Sequence, residues 1–400
     1  MKQTNLYFTI VLAFISFVII AQNTSSYFIN REQIKYGDER MDLYLPQLKN
    51  KNVALLANQT SKINNVHILD TLLQRGINVT KIFSPEHGFR GNMGAGEHIE
   101  NNIDKKTGIP IISLYGKHKK PTRNDLKNID VLIFDIQDVG VRFYTYISTL
   151  GLAMEACAEN SITMIVLDRP NPHDGYVDGP VLDLEFKSFI GMYPIPVVYG
   201  LTIGEIARMI NGEKWLKNNI QCKLSIIRID DYSHSMICPL DIAPSPNLPN
   251  MKSIILYPSL CFLEGTPISI GRGTDSPFQI FGSSEFEEGN IMFTPTSIPG
   301  VSKNPKDEKK LCHGYTLIDS VDIQIQRRKI NLNWLITSFH LYEQKDDFFK
   351  PFFTLLAGTE LLKNQIISGL GESEIRESWQ ADLKKYRQIR KKYLLYSDNR

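Results

Sequence analysis

From Asn52 to Pro170 the chain alternates between two textures. Five short runs are rich in apolar residues: NVALLANQ (Asn52–Gln59), NVTKIFS (Asn78–Ser84), PIISLYG (Pro110–Gly116), DVLIFDIQ (Asp130–Gln137) and ITMIVLDRP (Ile162–Pro170). Each predicts a β-strand. Between them VHILDTLLQRG (Val66–Gly76) and FYTYISTLGLAMEACAEN (Phe143–Asn160) predict helices, with a shorter one near Arg123–Asn128. Strands that are apolar throughout and alternate with helices indicate a parallel sheet covered on both faces. The expected fold class is α/β: a Rossmann-like parallel sheet domain followed by a smaller α+β C-terminal domain. The first strand runs out in Ala57-Asn58-Gln59-Thr60, and no GxGxxG follows it. Dinucleotide binding is therefore disfavoured and no cofactor is expected.

After TIGEIARMING (Thr202–Gly212), a helix with a threonine start and a glycine stop, the texture changes. One short strand, KLSIIRI (Lys223–Ile229), precedes long Pro- and Gly-rich segments such as PSPNLPN (Pro244–Asn250) and LYPSLCFLEGTPISIGRGTDSPFQIFG (Leu256–Gly282). This predicts a first domain over 30–212 and a second over 213–400, with functional loops in the latter. Two helices are expected at the C-terminus, Thr359–Ser368 and Ser373–Tyr396. The second has its acids early and its bases late, as the helix dipole favours. The basic run Lys384–Lys392 is then a solvated face rather than a membrane or nucleic-acid patch.

Composition narrows the picture. A chain of 400 residues exceeds one ordinary core, which favours two domains. A net charge of +2 with 22% charged residues lacks the basic excess of a nucleic-acid binder. At the N-terminus Lys2 leads into LYFTIVLAFISFVIIA (Leu6–Ala21) and then QNTSS. This predicts a signal peptide over 1–24 and a secreted or periplasmic protein with no stable membrane partner after cleavage. A retained N-terminal anchor is the alternative, although the run is shorter than the ~20 residues of a full span. The five cysteines show no zinc spacing and no disulfide framework, so no metal site is expected. Cys222 with Cys238 is the pair the sequence offers for a bridge.

Open parallel sheets bind ligands outside the carboxyl ends of their strands. Those ends carry SPEHGFRG (Ser84–Gly91), FDIQDVGVRFYTY (Phe134–Tyr146) and LDRPNPHDG (Leu167–Gly175). In the first, Glu86 sits between a stiffening proline and flexible glycines, with His87 and Arg90 beside it. It is a candidate general acid; a turn-capping Glu paired with Arg90 is the alternative. In the second, Asp135, Asp138, Arg142 and Tyr144 are candidates to orient a hydroxyl, an acid or a water. Asp138 can equally cap the following helix, with Arg142 neutralising it. Arg169 and Asn171 come from the third, where arginine suits a bidentate carboxylate. The second half adds Asn247, Glu264, Arg272 and Asp275. No GxSxG, HExxH, Walker loop or calcium loop is present. The remaining set fits carbohydrate chemistry with two carboxyl groups better than acyl or phosphoryl transfer.

These motifs resemble one family. SPEHGFRG with AGE (Ala95–Glu97), DIQDVGVRFYTYISTL, LDRPNP, DGP (Asp178–Pro180), GMYPIPVVYGLTIGEIA, PSPNLP, EGTPISIGRGTDSPFQ and SEIRESWQADLKKYRQIRKKYLLY are similar, in order, to the NamZ family of exo-acting β-N-acetylmuramidases. The resemblance runs from Gly37 to Tyr396. It implies release of N-acetylmuramic acid from the non-reducing ends of peptidoglycan fragments, with an active site between two domains. The family's catalytic glutamate falls on Glu86, and Glu264 matches a helper glutamate of the second domain. Either Glu264 or Asp138 is then the second carboxyl. Arg90, Arg169 or Arg272 is the cation for the lactyl carboxylate. Asn58, His87, Asp135, Arg142, Tyr144, Asn171, Asn247 and Asp275 complete the expected substrate contacts. The segment Pro295–Lys310 receives no role. The alternative is a protein that binds cell-wall fragments without turning them over.

Overall fold

The apolar runs form one sheet. In the computed structural model, which describes residues 27–86, 88–90 and 102–398, they become β1 (Val53–Ala57), β2 (Val79–Ser84), β4 (Pro110–Ser113), β5 (Val131–Asp135) and β6 (Thr163–Leu167). The short β3 (Asn102–Ile103) pairs antiparallel on the β4 edge. A separate antiparallel ribbon, β7 (Asp178–Val181) with β8 (Pro196–Val198), precedes β9 (Lys223–Ile227), which closes the other edge. The sheet order is β9-β6-β5-β1-β2-β4-β3. Counted in chain order without β3, the parallel strands run 3-2-1-4-5-6, the doubly wound arrangement with its switch point between β1 and β5.

Both faces are covered, which is why the central strands β1, β5 and β6 are mostly apolar. Successive side chains leave opposite faces of a strand. Ala54, Leu56, Leu132, Phe134, Met164 and Val166 enter one core with helix α3 (Tyr146–Glu159) and helix α4 (Ile203–Gly212). Val53, Leu55, Val131, Ile133, Ile165 and Leu167 enter the other with α1 (Met41–Leu48) and α2 (Ile68–Gln74). Thr202 caps α4 through a capping box with Glu205.

Three boundaries differ from the sequence expectation. The stretch near residues 123–128 forms turns rather than a helix. α3 starts at Tyr146, so Phe143–Thr145 form an open turn at the sheet's rim. The sheet does not end at residue 212, because β9 pairs in parallel with β6 from Lys223 to Ile227. The change of texture after Gly212 marks loops laid over the first domain.

The second unit opens with α5 (Met251–Leu260), capped by Asn250, which continues into a 3-10 turn, Cys261–Gly265. A small antiparallel sheet follows, ordered β10 (Ile280–Ser283), β12 (Cys312–Thr316), β11 (Ile291–Phe293). Short helices complete it: α6 (Val321–Arg327), α7 (Asn333–Leu341), α8 (Lys345–Phe348), α9 (Pro351–Ala357), α10 (Leu361–Ile367), α11 (Glu372–Ser378) and α12 (Gln380–Arg390). The long helix expected from Ser373 is thus two helices, broken at Trp379, whose ψ is 0°.

The chain end returns to the first domain. Tyr386 donates to the Tyr199 carbonyl at 2.7 Å and Arg390 Nε to the Gly200 carbonyl at 2.6 Å. Tyr396 donates to the buried carboxylate of Asp168 and accepts from the Ile229 N–H at 2.9 Å. All five cysteines are free and buried. The expected Cys222–Cys238 bridge does not form: Cys222 lies beside Cys157 in the main core, and Cys238 belongs to a separate cluster with Ile34 and Tyr36. No described helix is long and apolar enough to cross a membrane. The expected signal peptide, His87 and the Ala95–Glu97 motif lie outside the described residues.

Candidate active site

One wall of the site is the carboxyl edge of the sheet. β2 ends at Ser84, and the chain turns through Pro85 and Glu86, the Gly88 N–H closing on the Pro85 carbonyl at 3.2 Å. Glu86 is left half-buried at the rim. The turn after β5 brings the Thr145 hydroxyl 3.4 Å from Glu86 Oε2. Tyr144 and Tyr146 flank it edge to face, centroids 4.9 Å apart. Both phenols are tied down: Tyr144 donates to the Pro244 carbonyl at 2.8 Å, and Tyr146 accepts from Asn58 Nδ2 at 2.9 Å. Burial pushes both phenols well above the usual tyrosine range, so they act as neutral hydrogen-bonding groups.

The second unit supplies the facing wall. The 3-10 turn after α5 carries Glu264. Gly271 and Gly273 both take positive φ, 76° and 81°, so the chain coils tightly around Arg272. A Cβ at Gly273 would lie 2.5 Å from the Thr296 carbonyl oxygen, which excludes any side chain there. Arg272 Nε donates to Glu264 Oε1 at 3.0 Å, and Nη2 donates to the same oxygen. The guanidinium stacks over Phe278, 5.1 Å from its centroid. Tyr257 of α5 packs edge-on against Phe143 and Phe278 at 5.5 and 4.9 Å. Asn247 Nδ2 donates to the Val301 carbonyl at 2.8 Å, and its buried Oδ1 has no partner among the described residues.

The two walls enclose a cavity of ≈ 160 Å³ lined by Glu86, Tyr144, Asn247, Glu264 and Arg272, with Tyr257 and Phe278 among its aromatic sides. Two wider hollows of ≈ 940 and ≈ 970 Å³, around residues 123–129 and 226–233, are more open and contain neither Glu86 nor Glu264. Among the described residues no group of three or more His, Cys, Asp and Glu has the geometry of a metal site.

The remaining expected site residues lie elsewhere, each for a physical reason. Arg90 forms a bidentate pair with Asp104, at 2.9 and 3.1 Å from Nη2. Arg169 is buried between Asp135 and Asp38, at 2.6 Å from each, so it and Asp135 neutralise one another under the sheet rim. Asp138 is buried, accepts from Tyr199 and from the Gly140 N–H, and is pushed up to about 7 by burial. Arg142 is fully buried, and its two terminal nitrogens donate to the carbonyls of Pro180, Ile195, Leu356 and Ala357. Asn171 donates to the Leu201 carbonyl at 2.8 Å. Asn58 stands one layer back, holding Tyr146 and the Thr60 turn. Asp275 is exposed and outside the cavity.

Sequence reasoning missed Thr145, Tyr257 and Phe278 as cavity residues. Tyr257 sits in an apolar helical run, where nothing distinguishes a cavity aromatic from a core one. Thr145 was hidden inside the expected helix.

Comparison with known proteins agrees with this layout. Residues 53–252 match the family model for "Exo-beta-N-acetylmuramidase NamZ, N-terminal" and residues 255–396 that for "Exo-beta-N-acetylmuramidase NamZ, C-terminal". The chain is 40% identical over 374 residues to the peptidoglycan beta-N-acetylmuramidase NamZ of Bacillus subtilis (strain 168), covering 88% of this chain and 89% of that protein. A crystal structure of a DUF1343 family protein from Bacteroides fragilis superimposes with a TM-score of 0.86 at 48% identity, over 92% of this chain and 99% of that one. A second DUF1343 protein of the same species gives 0.77 at 29% identity, over 92% and 100%. With both family models matched in order and a curated relative at this identity, the chain belongs to the exo-β-N-acetylmuramidase NamZ family.

Proposed function

We propose that this chain is an exo-acting glycosidase that releases N-acetylmuramic acid from the non-reducing ends of peptidoglycan fragments. The observation that carries the reading is the meeting of Glu86 and the Glu264–Arg272 pair, from two domains, in one aromatic-walled cavity. Its volume of ≈ 160 Å³ is well below the ~300 Å³ and more of a cleft for a drug-sized ligand. A pocket of that size suits one terminal sugar rather than a run of several, which favours exo action.

In this reading Glu86 protonates the glycosidic oxygen as the bond to the muramic acid C1 breaks. Glu264, whose Oε1 is occupied by Arg272, uses Oε2 to activate water or to orient the 2-acetamido group. Arg272 keeps Nη1 without a partner among the described residues, and that group donates to the lactyl carboxylate that separates muramic acid from glucosamine. Asn247 Oδ1, buried and without a partner among the described residues, accepts from the acetamido N–H. The apolar N-terminal run supports action outside the cytoplasm, where peptidoglycan is found.

The test is timed hydrolysis of a chromogenic β-N-acetylmuramide beside the matching β-N-acetylglucosaminide, with wild type and Glu86→Gln. The expected result is cleavage of the muramide alone, slowed at least ~10-fold in the variant. Tight muropeptide binding without cleavage of either substrate would replace the glycosidase by a binding protein.

A further inference from the structure

The segment between β11 and β12 was assigned no role by its sequence, yet it backs the second-domain wall of the cavity at Gly273, Asn247 and the turn that carries Glu264. The Thr296 N–H donates to the Gly273 carbonyl at 2.8 Å, and the Val301 carbonyl holds Asn247. Asp307 accepts from Ser284 Oγ at 2.7 Å and so ties the segment to the end of β10. Between these anchors Lys306 turns inward. Its Nζ donates to the carbonyls of Leu263 at 2.7 Å, Glu264 at 3.1 Å, Ile268 at 3.2 Å and Thr266 at shorter range.

Two of those carbonyls, of Leu263 and Glu264, belong to the last turn of a helix, and those of Thr266 and Ile268 lie just beyond it. α5 and the 3-10 turn that continues it end at Gly265, and the last carbonyls of a helix lack intrahelical partners. They also carry the negative end of the helix dipole. An ammonium has no acceptor capacity, several donors and no planar preference, so one group can satisfy carbonyls converging from different directions. Lys306 therefore occupies the centre of a carbonyl ring much as a bound monovalent cation would. Glu264 belongs to that ring through its own carbonyl, while its carboxylate faces the cavity with Arg272.

We propose that Lys306 is a positioning residue for the glycosidase: by gripping the Leu263–Ile268 turn it fixes the orientation of the Glu264 carboxylate, and of Arg272 through it, toward the sugar. This rests on the assignment of Glu264 and Arg272 to the substrate site. The charged and titratable groups facing the ammonium are Glu264, Arg272, Cys261 and Asp307. Burial lowers the Lys306 ammonium to about 8 and pushes the Cys261 thiol well up, so between these two Lys306 is the group that changes charge in mildly alkaline solution. When the ammonium loses its proton the ring loses donors, and the turn carrying Glu264 loosens.

The experiment compares wild type, Lys306→Met and Lys306→Arg in the full chain, each checked for folding by circular dichroism. The readouts are kcat and KM for the chromogenic muramide from pH 6 to 10. The expected results are a kcat for Lys306→Met at least ~10-fold below wild type, in the range of a lost charge-assisted hydrogen bond, and an alkaline fall in wild-type kcat centred near pH 8. Lys306→Arg, charged throughout, should lack that fall. Wild-type kcat in Lys306→Met, or the same alkaline fall in Lys306→Arg, overturns the proposal. If Lys306→Met does not fold, the wild-type and Lys306→Arg profiles decide. A wild type that turns over no muramide removes the glycosidase reading instead. The positioning role is then judged by calorimetry, where equal N-acetylmuramic acid affinity in wild type and Lys306→Arg across pH 7 to 9 overturns it, and a fall in wild type alone supports it.

Discussion

Arg272 Nε lies 3.0 Å from Glu264 Oε1, so the second domain presents its cation and its carboxylate to the cavity as one bonded pair. Each partner holds the other in place, and each keeps one polar atom for substrate. In the proposed reading Arg272 is the group that tells a sugar bearing a carboxylate from one without.

Replacing it tests that. Arg272→Met should weaken binding of free N-acetylmuramic acid ~10- to 100-fold, the range of a charged hydrogen bond of ~1.5–3 kcal/mol. Binding of N-acetylglucosamine, which lacks the carboxylate, should fall less. Titration calorimetry with both sugars checks this; an equal loss for both would remove Arg272 from lactyl recognition.

Glu86→Gln probes the proton donor. A positioned general acid contributes roughly 10²–10⁴-fold. The deficit should be largest on a natural muramyl-glucosamine linkage, whose leaving alkoxide needs the proton. It should shrink on a nitrophenyl muramide, whose leaving group is stable as an anion. A deficit of equal size on both substrates would assign Glu86 another role.

Arg142 makes the opposite case. Its guanidinium bridges the β7–β8 ribbon to the end of α9, through the carbonyls of Pro180, Ile195, Leu356 and Ala357. Arg142→Met orphans buried carbonyls at about 1–3 kcal/mol each, so a loss of at least ~3 kcal/mol is expected. The urea midpoint should drop, while the folded variant keeps the wild-type KM. A raised KM at unchanged stability would return Arg142 to the substrate site.

His234 sets a pH dependence of stability. Its Nε2 lies 3.0 Å from Glu205 Oε1 and its Nδ1 3.2 Å from Asp174 Oδ2, with Arg390 Nη2 at 3.4 Å. Burial opposes the charged ring, but the two carboxylates outweigh it and raise it to about 9. A histidine raised on folding adds stability below its unfolded value near 6.5 and loses it as pH climbs through about 9. The melting temperature should therefore fall between pH 6.5 and 9, and His234→Gln should flatten that slope. A slope identical in the variant would assign the titration to another group.

Much of the fold was legible because a strand buried on both faces has one signature. The runs at Val53–Ala57 and Val131–Asp135 are buried at every position and could be little else. The site was legible in part. Glu86, Tyr144, Asn247, Glu264 and Arg272 line the cavity. Asp135, Asp138, Arg142 and Arg169 share the same strand ends, but their charges serve buried bonds beneath the rim. Sequence shows that a strand end is polar, not whether its polar atoms face solvent or the interior. Lys306 escaped notice for a related reason, since its partners are backbone carbonyls and leave no pattern of residue types.

The return of the chain end to Asp168 bears on how the protein is made. Asp168 closes β6 in the first domain, yet the phenol that bonds its buried carboxylate belongs to Tyr396, 228 residues downstream. A ribosome has released the entire sheet long before that phenol emerges. The Asp168 carboxylate therefore gains this partner only after the whole second domain has been made. A message cut short, or a tail trimmed by a protease, yields a polypeptide that holds every strand and still lacks its final stitch. Any truncation before Tyr396 thereby removes a partner of a buried acid in the first domain and lowers the stability of the product.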